Sequence, residues 1–478
     1  MELIAPAVKP VLDPDFRPAA LAWRAFAQRI QGRSEPIRIA VEQGDGSTYV
    51  FERAIERTAD PAAAAVNLRF IEREVKCLLW AVGGFRVHLD APEMLVAMLR
   101  DYVYRYFASR LFDADIMGPV IYGRPFEIRH ASGTEFPAAS AITLPLGRHT
   151  GGCRVAIDEG ASDIKAYAEQ DGKQTFAAEF KWDPKPQKDP VYHYEHIRHA
   201  LRAAAATLPR VDAIGVSSAG VYVSNEPRVA SLFRGIPRDV FKREIVPMYH
   251  RLRDEFGGIP LVVANDGSVS ALAGSMSLNR NSVLGLAFGS SLAAGYVDRA
   301  GNITTWLDEL AFVPIDMNPL APADEWSADR GCGVQYLSQQ AVNRLLGPAG
   351  IQVPKAMNVP ERLEQVQDLM RLGDPRAEKI YQTIGVYFGY ALAHYAHYYD
   401  IGTVLVMGRV TTGPGGDIIL QVARDVLAHE FPNLSIDIRL PDEASRRVGQ
   451  AAAAASLPQV EPAARNASEQ PEHAGQRV

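Results

Sequence analysis

The stretch "LVVANDGSVSALAG", residues 261–274, decides the fold because an apolar run meets a small-residue segment there at Asn265, Asp266 and Gly267. The apolar residues 261–264 predict a buried strand, and the segment after Gly267 predicts a helix. A carboxylate at such a junction has two interpretations. It caps the helix through an Asx turn, or it is a general base at the carboxyl edge of a sheet, where open α/β folds bind ligands.

The composition is that of a globular protein. The 478 residues are 47% hydrophobic and 22% charged, with a formal net charge of -6, and this length predicts roughly two to four domains. No long basic run implies nucleic acid, no signal peptide is recognisable, and the apolar stretch 283–297 is too short and too rich in Gly and Ser to cross a membrane. The three cysteines are far apart and form no CxxC pair, which predicts a reducing cytoplasm.

Residues 1 to about 150 predict an α/β region of their own. A loosely ordered lead-in precedes a short helix within the first 35 residues. Residues 37–55 alternate apolar and polar side chains around a Gly-Asp-Gly turn and predict a β-hairpin. Residues 91–112 have helical apolar spacing, and 126–152 predict strand and loop.

A second pattern begins at Cys153. Residues 153–180 predict three strands joined by turns, 194–208 a helix, and 212–220 a buried strand ending in a small-residue loop. Strands and helices then alternate as far as the strand at 403–410, which favours α/β layers with largely parallel sheets. The pattern occurs on both sides of residue 264 and indicates a weak internal duplication.

Two small-residue turns are candidate phosphate loops. In "AIDEGASDIK", residues 156–165, Gly160, Ala161 and Ser162 form a turn that can direct N–H groups and a hydroxyl at phosphate oxygens. Lys165 adds positive charge, and Asp158 can hold Mg²⁺ directly or through water. The alternative is that this segment is a plain hairpin turn.

In "AFGSSLAAGYV", residues 287–297, Gly289, Ser290 and Ser291 could hold a second side of the same phosphates, again with a plain hairpin as the alternative. Other nucleotide and catalytic motifs are absent from the sequence: GxxxxGK[ST], GxGxxG and GxSxG do not occur. His193, His196 and His199 lack the i, i+4 spacing of a zinc-binding helix.

The order of these segments resembles the ROK family (repressors, open reading frames and sugar kinases) of the actin/hexokinase-like ATPase fold, over about residues 153–457. Residues 156–173 are similar to its first phosphate motif and 284–303 to its second. Residues 213–223 resemble its sugar-side strand and loop, and 308–316 its sugar-binding Glu segment. Residues 262–274 are similar to the segment that carries the catalytic Asp, 403–410 to the adenosine motif, and 445–456 to the closing Gly-Ala-Ala-Ala helix.

The resemblance implies an α/β, two-lobed, ribonuclease H-like ATPase fold with an extra N-terminal α/β region. The expected divisions are 1–150 for that region, 151–264 for the first lobe with a closing helix at about 443–457, 265–442 for the second lobe, and 458–478 for a disordered tail.

The resemblance also implies phosphoryl transfer from Mg-ATP to a monosaccharide hydroxyl, with Asp266 as the catalytic base. Sugar contacts would come from Asn265, Glu309, Ser218 and Gly220, and Asp158 would hold Mg²⁺. Contacts with ATP and its phosphates would come from Gly160, Ser162, Lys165, Gly289, Ser290, Ser291, Gly408 and Gly415, the last two beside the adenosine.

The sequence departs from the family pattern. Ala161, Ser291 and Ala293 stand where the phosphate motifs have Gly, and each adds a Cβ close to the expected phosphates. Ser162 replaces Thr. Phe312 replaces the zinc-binding His, and 329–342 keeps only Cys332 of the cysteine motif, so no structural zinc is expected.

Three functions remain open at this point: a sugar or polyol kinase, a sugar-sensing regulatory protein with weak or no catalysis, and an ATPase that moves domains or partners. The combination of Asn265, Asp266 and Glu309 favours the kinase, because a pure ATPase needs no sugar-facing residues. A basic recognition helix is not recognisable in residues 1–150. The expected partners are ATP and a monosaccharide, without nucleic acid or membrane, and a homodimer is left open.

Overall fold

The computed structural model describes residues 2–57, 60–141, 145–441 and 449–460. Within these ranges the strands form an N-terminal sheet, two larger α/β lobes and one short hairpin. The predicted α/β class is confirmed. Within the same ranges, no helix combines the length and apolar character that a bilayer crossing requires.

The N-terminal sheet has the strand order β2-β1-β3-β4. The predicted hairpin is confirmed, because β1 and β2 pair antiparallel from Ser34 opposite Glu56 to Glu42 opposite Thr48. The strands are β1 Ser34–Glu42, β2 Thr48–Glu56, β3 Arg86–Asp90 and β4 Glu127–His130.

Helices cover this sheet and connect its strands. They are α1 Ala19–Arg29, α2 Pro61–Ala81, α3 Glu93–Met98, α4 Tyr104–Tyr106 and α5 Ala108–Asp115, with π-helical turns at Leu99–Val103 and Ile116–Tyr122 and a 3₁₀ turn at Gly133–Glu135. The helix predicted over 91–112 is therefore present, but a π-helical turn at Leu99–Val103 and the extended residue Phe107 interrupt it.

The lead-in before α1 is ordered, contrary to the prediction. Phe16 is fully buried and its ring packs edge-on against Tyr387, with centroids 4.8 Å apart. The Leu12 N–H donates to Thr383 Oγ1 at 3.2 Å. These contacts fix the segment along the second lobe.

The first lobe is built on a five-stranded sheet of order β11-β8-β5-β6-β7. The three predicted strands at its start form an antiparallel meander, and β8 and β11 add to it in parallel. The strands are β5 Cys153–Glu159, β6 Asp163–Gln170, β7 Lys173–Lys181, β8 Ala213–Ser218 and β11 Leu261–Asn265, with the hairpin β9 Val221–Val223 and β10 Glu226–Val229 between the last two.

The second lobe repeats this arrangement with fewer strands. Its sheet has the order β13-β12-β14-β15, with β12 and β13 antiparallel and the other pairs parallel. This matches the duplication indicated by the sequence. The strands are β12 Val283–Phe288, β13 Leu292–Val297, β14 Thr403–Met407 and β15 Asp437–Arg439.

The remaining helices pack on these two sheets. The α-helices are α6 Pro190–Ala205, α7 Arg238–Val240, α8 Met248–Glu255, α9 Asp266–Leu278, α10 Gln339–Leu345, α11 Val359–Arg371, α12 Pro375–Tyr395, α13 Pro414–Glu430 and α14 Gln450–Ala455. A π-helical turn lies at Phe241–Ile245, and 3₁₀ turns lie at Ser231–Phe233, Leu310–Phe312, Gly333–Gln335 and Arg409–Thr411.

Part of the predicted closing helix, residues 443–448, lies outside the described residues, as does 461–478 of the predicted tail. The described part, α14, packs closely on the first-lobe sheet. Gly215 of β8 faces the Ala454 carbonyl, and a Cβ at residue 215 would overlap it.

The apolar core of the N-terminal region continues into the second lobe. One buried cluster runs from Trp80 of α2 through Leu310 to Tyr387 of α12. The end of α2 is also bonded to the second lobe, because the Glu309 N–H donates to the Trp80 carbonyl at 2.9 Å. Helix α2 of the N-terminal region is thus packed against the second lobe.

Candidate active site

The parallel strands of the first lobe bring polar side chains to one edge. In the register of the sheet, Asp158 lies opposite Ser217, and Ser218 lies opposite Asn265. Because parallel strands end at the same edge, the segments predicted to bind Mg²⁺ and sugar meet there. This edge faces the cleft between the lobes.

Asn265, rather than Asp266, is the cap residue of α9. Its Oδ1 accepts the Gly267 N–H at 2.7 Å, while Asp266 Oδ1 lies 3.0 Å from the same N–H. Asp266 Oδ2 accepts no hydrogen bond from the described residues. The carboxylate therefore keeps one oxygen available to a ligand.

Three carboxylates converge on the cleft. Burial raises the pKa of Asp266, and the charge of Asp158 raises it further. Burial and the charge of Asp266 raise the pKa of Glu309 to about 7. The pKa of Asp266 therefore depends on the charge of Asp158, and the pKa of Glu309 depends on the charge of Asp266.

Asp158 is held at the end of β5. The Ser217 hydroxyl donates to its Oδ1 at 2.7 Å, and Lys165 Nζ lies 3.8 Å from its Oδ2. Burial raises the pKa of this carboxyl, while Ser217 and Lys165 oppose the shift. A cation bound at Asp158 would stabilise the charged carboxylate and so lower its pKa.

The first candidate phosphate loop is a tight turn between β5 and β6. The Gly160 N–H donates to the Asp163 carbonyl at 2.8 Å, and the Trp182 indole N–H donates to the Gly160 carbonyl at 2.8 Å. Ser162 is exposed, but its hydroxyl donates to Asp163 Oδ2 at 2.9 Å. A phosphate would have to replace that bond.

The second candidate loop joins β12 to β13, and its Ser290 and Ser291 are exposed. Gly408 ends the neighbouring strand with φ +100°, and a Cβ there would lie 2.6 Å from the Phe288 carbonyl oxygen. Gly408, which was predicted to lie beside the adenosine, is therefore next to the second loop.

A cavity of about 800 Å³, the nucleotide cavity, opens between the lobes. Asp158 and Lys165 of the first lobe line it, together with Gly408 and Gly413 of the second lobe. Its volume lies within the range of small-molecule sites. The cavity extends from Asp158, the predicted metal ligand, to Gly408, which was predicted to lie beside the adenosine.

A separate cavity of about 370 Å³, the acceptor cavity, brings two of the predicted sugar contacts together with two predicted phosphate contacts. Glu309, Gly220, Ser290 and Ser291 line it. Asn265 supports the wall, because its Nδ2 donates to the Gly220 carbonyl at 2.8 Å.

Several predicted site residues have other surroundings. Gly160, Ser162, Gly289 and Asp266 are not among the lining residues of either cavity, and Asn265 lines a third cavity of about 210 Å³. Ser218 is fully buried, and its hydroxyl donates to Glu159 Oε2 at 2.9 Å, so it does not reach the acceptor cavity. Gly415 packs against the ring of Tyr381 and does not line the nucleotide cavity.

The sequence analysis missed two residues of the site. Gly413, with φ +77°, lines the nucleotide cavity near the place predicted for Gly415. Gln450 of α14 lines it too and donates to the Asp266 carbonyl at 3.1 Å. The Gly-Pro-Gly-Gly run at 413–416 pointed to the first residue, whereas no signal pointed to the second.

Comparison with solved structures returns proteins of similar fold. The chain is similar to a ROK hexokinase from Thermus thermophilus, at 19% identity over 63% of this chain and 96% of that one, with a TM-score of 0.48. These neighbours are ROK-family proteins. A ROK family glucokinase from Streptomyces griseus, in complex with glucose and AMPPNP, is 19% identical over 64% of this chain and 98% of that one, with a TM-score of 0.44.

A ROK family transcriptional regulator, a homologue of the E. coli MLC protein, is similar to the same extent: 17% identity, 64% of this chain, 78% of that one and a TM-score of 0.47. No protein-family model and no curated protein matches the sequence. The likeness is one of fold, since kinases and a regulator share it.

Proposed function

We propose that the protein is an ATP-dependent kinase that phosphorylates a hydroxyl of a sugar or cyclic polyol. The observation that carries this proposal is the place of Asp266. Its charge acts on Glu309 in the acceptor cavity, and its own pKa responds to Asp158 in the nucleotide cavity. A base for phosphoryl transfer must reach the acceptor hydroxyl while that hydroxyl is next to the terminal phosphate.

The residues present fit a nucleotide with Mg²⁺. Asp158 and Asp266 are part-buried or buried carboxylates whose mutual repulsion a cation would offset. Mg²⁺ is commonly held by one or two carboxylates together with substrate phosphates, and bound there it would neutralise phosphate charge. Lys165 and the turns at 160–162 and 289–291 would bind the phosphates, and Gly408 would border the adenosine.

The proton step belongs to Asp266. As the acceptor oxygen bonds to the γ-phosphorus, its hydroxyl proton passes to the Asp266 carboxylate and the bond from phosphorus to the bridging oxygen of ADP breaks. Glu309 would orient the acceptor, and Asn265 would support the wall of the cavity through the Gly220 carbonyl. General-base catalysis of this kind contributes roughly 10²- to 10⁴-fold in rate.

The phosphate loops favour a second candidate, a sugar-binding regulator with weak or no catalysis. The Ser162 hydroxyl already donates a hydrogen bond to Asp163. Ala161, Ser291 and Ala293 have side chains at positions where a glycine would let the backbone approach phosphate more closely,. Such a protein would bind sugar without turning it over.

A coupled ADP-release screen over hexoses, amino sugars and cyclic polyols tests both candidates. We expect turnover with at least one acceptor, and a loss of about 10²- to 10⁴-fold in Asp266→Asn. The matched control is Asp254→Asn on the exposed surface of α8, which should retain full activity. Turnover that survives in Asp266→Asn contradicts the base assignment, and sugar binding without any turnover favours the regulator.

A further inference from the structure

The acceptor cavity is lined by polar and apolar groups. The polar groups are the Gly220 backbone and the side chains of Ser231, Ser290, Ser291, Glu309, Asp324, Glu325, Gln335 and Gln340. Five of the apolar lining side chains are named here the apolar wall: Trp80, Phe112, Ile116, Ile121 and Phe312. All but Phe312 come from the N-terminal region, which therefore shapes the site that holds the acceptor.

The apolar wall offers rings and methyl groups but no hydrogen-bond donor. The Trp80 indole N–H, its one polar atom, donates to Asp113 Oδ1 at 2.8 Å. Lys76 Nζ lies 2.6 Å from the same oxygen, inside the protein. The indole N–H is thus already hydrogen-bonded within the protein, so it is not available to a ligand in the cavity.

Ring stacking fixes the apolar wall in place. Trp80 stacks on Phe312 with centroids 4.0 Å apart and planes at 28°, and on Phe112 at 6.0 Å and 16°. Phe112 and Phe312 also contact one another at 5.8 Å. Three mutually packed rings form a stiff surface.

The apolar wall is also tied to the polar groups. The Glu309 N–H donates to the Trp80 carbonyl at 2.9 Å, and the Asp308 N–H donates to the Ala81 carbonyl at 3.0 Å. These two backbone bonds join the end of α2, which carries Trp80, to the segment that carries Glu309.

An unsubstituted sugar fits this cavity poorly, because a hydroxyl that faces the apolar wall gives up hydrogen bonds to water without replacement. An apolar group in the same place gains from leaving water. We propose that the natural acceptor is a sugar with an apolar substituent, such as an alkyl or aryl glycoside, and that the apolar wall binds the substituent. This inference rests on the proposed kinase function and names its substrate class.

The test is the ADP-release assay on the full chain, with each active hexose compared with its methyl and phenyl glycosides. We expect kcat/KM to be at least about tenfold higher for the phenyl glycoside than for the parent sugar. Phe112→Ala should lower that ratio by about tenfold. Phe176→Ala, at a part-buried ring of the first-lobe edge strand β7, is the matched control and should keep the ratio.

Equal kcat/KM for parent and glycoside, or a ratio unchanged in Phe112→Ala, overturns the inference. If Phe112→Ala melts at a much lower temperature, Phe112→Leu replaces it, since Leu keeps an apolar side chain but removes the ring. If no compound is phosphorylated, the proposed function fails, and titration calorimetry of the same pairs then decides. Tenfold tighter binding of the phenyl glycoside supports the apolar wall, while equal binding or none overturns it.

Discussion

Gly267→Ala should impair catalysis without removing any polar group. A Cβ at residue 267 would lie 2.9 Å from Asn265 Oδ1 and closer still to the Ala294 carbonyl oxygen of β13. To restore an ordinary contact, the first turn of α9 must move from β13 by about 1 Å, and a misplacement of that size costs about 10²-fold in rate. Because Asp266 begins this turn, it moves too.

The assay is ADP release under saturating substrates, with the melting temperature measured in parallel. We expect kcat to fall about 10²-fold, and the free energy of unfolding to fall by about 1–3 kcal/mol from overpacking. Gly347→Ala is the control, because nothing lies within 4 Å of a Cβ there. A Gly267→Ala protein with normal kcat would refute the claim that the close contact of α9 with β13 positions the base.

Further predictions concern charge. Glu309 has its pKa raised to about 7, so kcat/KM for the acceptor should rise with pH through that value as the carboxylate forms, and Glu309→Gln should remove the rise. Burial also raises the pKa of Glu159 to about 7, so the protonated carboxyl stabilises the fold below pH 4.5. This contribution, on the order of 3 kcal/mol, is lost as the pH rises through 7, and the melting temperature should fall. Glu159→Gln should make the melting temperature depend less on pH over this range. Lys76→Met removes one of the two buried cations that pair with Asp113 and leaves Arg110 3.3 Å from its Oδ2; it should cost about 1–3 kcal/mol in urea unfolding, whereas loss of the exposed Arg376–Asp374 pair should leave the free energy of unfolding nearly unchanged.

The sequence predicted the parts of the fold that depend on local patterns. The strands β5 to β7 are separated by turns at residues 160–162 and 171–172, and their alternation predicts the meander. Asp158 and Asp266 lie at one edge of the first-lobe sheet because Asp158 is near the carboxyl end of β5 and Asp266 directly follows β11, which runs parallel to it through β8. For Asp266, the sequence could not separate the cap from the base, and the structure gives the capping position to its neighbour Asn265.

Long-range packing could not be predicted. Phe16 lies in a proline-bearing lead-in without periodicity, and its burial depends on ring contacts with the distant residues Tyr336, Tyr387 and Tyr390. Likewise, Trp80 looked like any core residue of a helix. Its place in the acceptor cavity depends on a backbone bond to Glu309, more than two hundred residues away in sequence.

Site details failed where one residue type has several uses. Gly415 was predicted to border the adenosine, but a helix packed against Tyr381 needs a glycine at the same point. Ser218 was predicted to contact the sugar, but a buried Glu159 takes its hydroxyl. Gly and Ser at strand ends indicate that another group lies close to the backbone, but the sequence does not identify whether that group is a ligand or a side chain of the protein.

The most direct measurement is a crystal structure of the full chain with a non-hydrolysable ATP analogue, Mg²⁺ and the acceptor found in the screen. The account predicts an Asp266 carboxylate oxygen within about 2.6–3.2 Å of one acceptor hydroxyl, with the terminal phosphate bound between the turns at 160–162 and 289–291. An acceptor bound away from Asp266, or a terminal phosphate that contacts neither turn, would contradict it.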